Sequence, residues 1–111
     1  TAITAWENAI AATVIHYIND TVADMSAEAA DYDFYTHAKH WSELKGFALS
    51  FQFNRRSPMT AEQFAALHAA IGTAPALPGA ENFDAYKQGL IDIRAVVGDV
   101  YGFDTADVES W

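Results

Sequence analysis

The sequence lacks cysteine altogether and is poor in basic residues. Without cysteine there can be no disulfide bond, no thiolate metal ligand and no cysteine nucleophile. Six Lys and Arg stand against fifteen Asp and Glu, which gives a formal net charge of −9. Because binding to phosphate backbones needs clustered basic side chains, this charge argues against a nucleic-acid partner and against an anionic membrane surface. It permits cationic partners, metal ions among them.

Long hydrophobic runs are also missing, since none approaches the roughly 20 residues of a membrane-spanning helix. No secretion signal is visible, and the chain begins at Thr1 rather than Met, which suggests processing or excision from a longer precursor. With 51% hydrophobic residues in a chain of 111, a substantial core is expected. We therefore expect residues 1–111 to form a single helical domain, or the C-terminal part of a longer one.

Apolar residues recur at helical spacing along the chain, and no strand-like alternation is sustained. The apolar stripe of the first helix begins with Ile3 and Trp6 and is wide enough to pack against more than one neighbour. The expected fold is all-α, an antiparallel helical bundle of about four helices plus a short C-terminal turn, or half of a larger helical domain. The predicted helices cover about residues 3–25, 33–53, 61–71 and 83–101.

Three local patterns predict where helices begin. Thr60 and Gln63 match a capping box at the start of the third helix. Asn82 is a suitable N-cap for the fourth helix. Asp104 or Thr105 can cap the last short turn.

His37, His40 and Glu43 form the one chemistry-capable cluster of the second helix. Each lies three residues from the next, so that neighbouring side chains can meet. Imidazole and carboxylate groups at this spacing suit zinc or iron, and helical bundles build metal sites in this way. In a helical projection of the second helix, His37 lies at the middle of the apolar side, His40 at the edge of that side and Glu43 beyond the edge. The alternative interpretation is a core histidine with a single hydrogen-bond partner.

The first helix carries a second cluster, in which His16, Asp20 and Asp24 follow one another at intervals of four on one face. This pattern is equally typical of a solvated polar face with one His–Asp pair. If the first two helices are neighbours, the two clusters can converge. His68 is interpreted as a packing residue, and Glu7 flanks the apolar stripe and could reach inward.

The segment Lys39–Leu49 (KHWSELKGFAL), followed by Gln52–Asn54 and Arg56–Pro58, is distinctive. Together with Ile15–Asn19 it resembles an uncharacterised helical domain family of bacterial envelope proteins. The resemblance covers the whole chain as the C-terminal part of that domain. The family is in turn similar to imelysin-type proteins, which are helical bundles of the periplasm or cell surface.

Imelysin-type proteins are linked to iron uptake and were once classed as peptidases. Their His-x-x-Glu motif, proposed to bind metal, corresponds here to His40 and Glu43, although Ala38 stands where glycine is usual. The resemblance thus implies a bacterial periplasm or cell-surface location. It also implies a bound divalent or ferric metal ion, with iron favoured and zinc or copper as alternatives.

Three hypotheses follow for function. The first is metal binding, for iron binding or uptake rather than catalysis, through His40 and Glu43 with His37, His16 and Asp20 as further candidate ligands. The second is an interaction or assembly module that pairs with itself or with an upstream segment of the same precursor, without metal. A peptidase is a third and weaker hypothesis, because no Gly-x-Ser-x-Gly or His-Glu-x-x-His pattern is present.

Overall fold

A computed structural model describes all residues from 1 to 111, and every regular element in it is helical. The predicted all-α fold is confirmed. The molecule is elongated, with extents of 46 × 25 × 21 Å. No helix combines the length and the apolar character that crossing a membrane would require. The elements are α1 (Ala2–Met25), α2 (Phe34–Leu49), a 3₁₀ turn (Ser50–Phe53), α3 (Ala61–Ile71), α4 (Phe83–Tyr101) and α5 (Thr105–Ser110).

The capping patterns in the sequence set two of the helix starts. At α3 the Thr60 hydroxyl accepts from the Gln63 amide at 3.1 Å, and Gln63 Oε1 accepts from the Thr60 amide at 2.9 Å. The predicted capping box is therefore confirmed. At α5 the capping residue is Asp104, whose carboxylate accepts from the Ala106 amide at 2.9 Å.

Two boundaries differ from the sequence prediction. The α-helical part of α2 ends at Leu49, and residues up to Phe53 continue as a 3₁₀ turn. At this point the Ser50 hydroxyl donates to the Phe47 carbonyl at 2.6 Å, a local bond that competes with regular helix pairing. Asn82 holds the N-cap position of α4, but its backbone is not extended and its side chain makes no capping bond.

α1 is the central helix and packs against α2, α4 and α5. It runs antiparallel to α2, because Tyr17 stacks on Phe47 at one level and Asp24 reaches His40 at another. The fully buried aliphatic side chains that form the centre of the core are Val14, Ile15, Ile18, Leu44, Leu67, Ile71, Leu90 and Val97. This antiparallel packing brings the polar face of α1 against the second helix.

The first turn of α1 lies outside the core. Ile3 and Trp6, which begin the apolar stripe, remain 58% and 48% exposed. α1 has 24 residues and α2 has 16, so α1 is about 12 Å longer at 1.5 Å per residue. Its N-terminal end consequently extends past the end of α2.

Candidate functional site

α1 and α2 bring the two predicted clusters together. His16 Nε2 lies 3.1 Å from Asp20 Oδ2, and His40 Nε2 lies 3.6 Å from the same oxygen. The other nitrogen of His40, Nδ1, lies 2.5 Å from Asp24 Oδ2. Of the predicted site residues, His16, Asp20 and His40 therefore converge, and Asp24 joins them.

The helix spacing explains this arrangement. Residues 16, 20 and 24 are separated by about one turn each, so their side chains form a row along α1. His40 approaches this row from α2, between Asp20 and Asp24. The exposed fraction of the side chains falls along the row, from 51% at His16 through 32% at Asp20 to 16% at Asp24, with His40 at 21%. The cluster thus leads from solvent toward the interior.

Both ring nitrogens of His40 face carboxylates. A neutral imidazole carries one N–H and one acceptor nitrogen, whereas an imidazolium donates from both. The short contact with Asp24 favours the tautomer with the proton on Nδ1, which leaves Nε2 directed at Asp20. His40 Nε2 and the Asp20 carboxylate therefore face each other across a gap of 3.6 Å.

Glu43 is not part of this convergence. It forms no ion pair with His40, and its carboxylate lies near the hydroxyl of Tyr17 on α1. Hydrogen bonding to the Glu43 carboxylate, together with burial, raises the pKa of the Tyr17 hydroxyl. The structure thus separates the two residues of the His-x-x-Glu pair, since His40 faces the aspartates and Glu43 faces the tyrosine.

His37 lies in the core with no exposed surface. Its Nδ1 is 2.7 Å from the Tyr32 hydroxyl, and its Nε2 has no hydrogen-bond partner. Burial lowers the pKa of His37, with the Asp24 charge acting in the opposite direction. This is the geometry of a core histidine with one partner, and it does not bring His37 into contact with the other candidate ligands.

Two contributors to the site could not be assigned a role from sequence. Asp24 belongs to the row on α1, but its pairing with His40 spans 16 positions and depends on how the helices pack. Tyr17 belongs to the apolar stripe, and its ring lies 6.3 Å from that of His40. The spacing of four residues from Asp20 to Asp24 was the one available indication that both carboxylates share a face.

A shallow cavity of about 330 Å³ adjoins the outer end of the cluster. His16 and Tyr17 form one side of it, and Trp111 forms another. In the present side-chain arrangement, no three His, Asp or Glu groups are placed so that they could hold a metal ion together. A metal ion would have to replace the contacts that His16 and His40 make with Asp20.

No protein-family model, no curated protein and no solved structure matches the chain. Function is therefore inferred from the side chains themselves.

Proposed function

We propose that this domain binds a divalent transition-metal ion between α1 and α2, with His16, Asp20 and His40 as ligands. The observation that supports this most is the shared oxygen, because two imidazole nitrogens from different helices approach Asp20 Oδ2 at 3.1 and 3.6 Å. Ligand atoms about 2.0–2.1 Å from a tetrahedral metal are about 3.3 Å apart. Both distances are close to that value. A metal ion can therefore be accommodated by small rotations of these partly exposed side chains, without movement of the helices.

Asp24 would orient the inner ligand. In protein metal sites a ligating histidine usually donates its other N–H to a carboxylate, which fixes the ring and raises its basicity. The contact from His40 Nδ1 to Asp24 Oδ2 is of this kind and leaves Nε2 for the metal. Asp24 is less exposed than the three proposed ligands, as expected for a supporting group.

The donor set favours iron or zinc. Two histidines and one carboxylate with open positions are typical of non-haem ferrous sites, and the same donors bind zinc. The cavity beside His16 leaves room for water or a small ligand to complete the coordination. Iron and a location in the bacterial envelope stay predictions of the sequence resemblance to imelysin-type proteins. Binding or delivery fits better than catalysis, because the cavity beside His16 is shallow and does not enclose a substrate.

Calorimetric titration with Zn²⁺, and anaerobically with Fe²⁺, tests this proposal. We expect one ion per chain for the unmodified protein, and no measurable site in His16→Ala or His40→Ala. Asp24→Asn should weaken binding by about 10- to 100-fold, because it removes only the orienting carboxylate. Glu43→Gln is the matched control and should bind like the unmodified protein.

The Glu43 variant also separates the two possible ligand sets. Loss of binding in Glu43→Gln with retention in His16→Ala would mean that the His-x-x-Glu pair is the site. The proposal is overturned if the unmodified protein binds neither ion, or if His40→Ala binds as tightly as the unmodified protein.

A second candidate function, pairing with another copy or with an upstream segment, is supported by apolar side chains at one end of the molecule. Ile3 and Trp6 are exposed there, and Phe53 of the adjacent 3₁₀ turn is 74% exposed. Surfaces of this kind commonly mark protein contacts. Light scattering over a range of concentrations would show a dimer or larger species if this end self-associates. A monomer at all concentrations would exclude self-pairing.

A further inference from the structure

Glu7 is a buried carboxylate that takes no part in the proposed metal site. It lies in the second turn of α1 with 2% of its surface exposed, and its Oε1 has no hydrogen-bond partner in the protein. It also forms no salt bridge. Burying an unpaired carboxylate is costly, and proteins normally compensate such a group with a cation or with several hydrogen bonds.

The hydroxyl of Tyr101, at the end of α4, is also buried without a partner. It lies near Glu7 and Ser57 but makes no well-formed hydrogen bond to either. Burial raises the pKa of Tyr101 to about 12, with Ser57 opposing the shift and the Glu7 carboxylate adding to it. The hydroxyl therefore stays protonated at neutral pH and is a hydrogen-bond donor beside the Glu7 carboxylate.

A cavity of about 270 Å³ adjoins Glu7, between the first turns of α1 and the segment that follows the 3₁₀ turn. Most of the residues that line it have polar side chains, unlike those around a packing void in a core, although apolar atoms make up the larger part of its surface. Besides Glu7, the polar side chains that line it are Thr1, Thr4, Asn8, Asn54 and Arg56.

The cavity is lined by two side chains of opposite charge. Glu7 is buried and contributes a carboxylate, whereas Arg56 is exposed and contributes a guanidinium, and the two form no ion pair with each other. A ligand that satisfies both residues needs a cationic group for Glu7 and an anionic group for Arg56.

We propose that this cavity binds a small zwitterion of the α-amino acid class, with its ammonium group on Glu7 and its carboxylate toward Arg56. The volume of about 270 Å³ lies just below the range of drug-sized pockets and suits a ligand of this size. The neutral polar groups and the apolar atoms of the wall suit an uncharged side chain on the ligand, such as that of glutamine. The site shares no residue with the proposed metal site and does not depend on it.

Titration of ¹⁵N-labelled protein with L-glutamine, followed by NMR, tests the proposal. We expect saturable shifts confined to the amides of residues 2–8, 54–57 and 101. N-acetyl-L-glutamine lacks the ammonium charge and should not bind. L-glutamine α-amide lacks the carboxylate and should bind more weakly than L-glutamine.

Substitutions then test the contributions of Glu7 and Arg56 separately. Glu7→Gln keeps the shape of the side chain and should weaken binding of L-glutamine by at least about tenfold, the effect of losing a charge-assisted hydrogen bond. Arg56→Gln should also weaken binding, and since Arg56 is exposed this change leaves the fold intact. Arg55→Gln is the matched control, because Arg55 is an exposed neighbour that does not line the cavity.

The proposal is overturned if the unmodified protein shows no saturable shifts with L-glutamine, which would leave internal water as the partner of Glu7. It is equally overturned if N-acetyl-L-glutamine binds as well as L-glutamine. The proposal is also overturned if Arg56→Gln and Arg55→Gln bind L-glutamine with the same affinity. This comparison holds even if Glu7→Gln does not fold.

Discussion

Arg94 on α4 donates from Nη1 to Oδ1 of Asn19 on α1, at 2.8 Å and across 75 positions of sequence. The amide group of Asn19 in turn donates to the carbonyls of Val108 and Trp111, at 2.9 and 2.8 Å. A single partly buried side chain thus links three helices. It also supplies donors to carbonyls at the end of α5, where helix geometry leaves them unpaired.

Replacing Asn19 by alanine should destabilise the fold. The change removes three hydrogen bonds, one of them to a charged guanidinium, so we expect the free energy of unfolding to fall by about 2–4 kcal/mol. Urea denaturation followed by circular dichroism measures it. Asn82→Ala is the matched control and should change stability little, since Asn82 makes no side-chain capping bond. Equal losses in the two variants would contradict the linking role of Asn19.

Stability should also decrease as the solution is acidified through the titration range of histidine. Burial lowers the pKa of His37 in the folded state, while the unfolded chain titrates near 6.5. Below about pH 6.5 the unfolded chain therefore binds a proton that folded His37 does not, and the free energy of unfolding falls by up to about 1.4 kcal/mol per pH unit. The loss ends once the pH drops below the folded pKa.

Urea titrations between pH 7.5 and 5 measure this dependence in the unmodified protein and in His37→Gln. The glutamine can still accept from Tyr32 but does not titrate, so its stability should vary less with pH. The dependence that remains would come from His68, whose pKa burial also lowers. The lowered pKa of Asp33 affects the free energy of unfolding only below about pH 4, outside this range. Parallel pH profiles for the two proteins would contradict the prediction.

Gly98 of α4 should not tolerate a side chain. A Cβ placed there would lie 2.9 Å from Val108 Cγ2, and a β-branched side chain has little freedom to move away. We expect Gly98→Ala to lower the free energy of unfolding by about 1–3 kcal/mol, as overpacked cores do. Gly89→Ala, in the same helix but with nothing within 4 Å, should raise it by about 0.5–1 kcal/mol.

Thermal or urea denaturation of both glycine variants gives the comparison. Adding Val108→Ala to Gly98→Ala should recover part of the loss, since it removes the clashing methyl groups. If the two glycine variants gained stability alike, the close packing of α5 on α4 would be disproved.

The sequence predicted the features of the fold that arise from interactions within a few residues. The capping box of Thr60 and Gln63 is one, because both partners lie in the same helical turn. The convergence of His40 with the aspartates of α1 was predicted only on the condition that the two helices are neighbours, and the position of Glu43 beside Tyr17 was not predicted, since both depend on the packing of α2 on α1. Periodicity placed Ile3 and Trp6 on the apolar stripe correctly, but it carried no information on where the neighbouring helix ends.

His40 touches two aspartates that are one turn apart on the facing helix, at Nδ1 and Nε2 of one rigid ring. A slide of α1 along α2 by a single residue is about 1.5 Å, enough to break the hydrogen bond at Nδ1 and to change the longer contact at Nε2. Both contacts of the ring therefore form together at only one axial position of α1 relative to α2. The proposed metal ion, which would need both helices, would hold them at the same axial position.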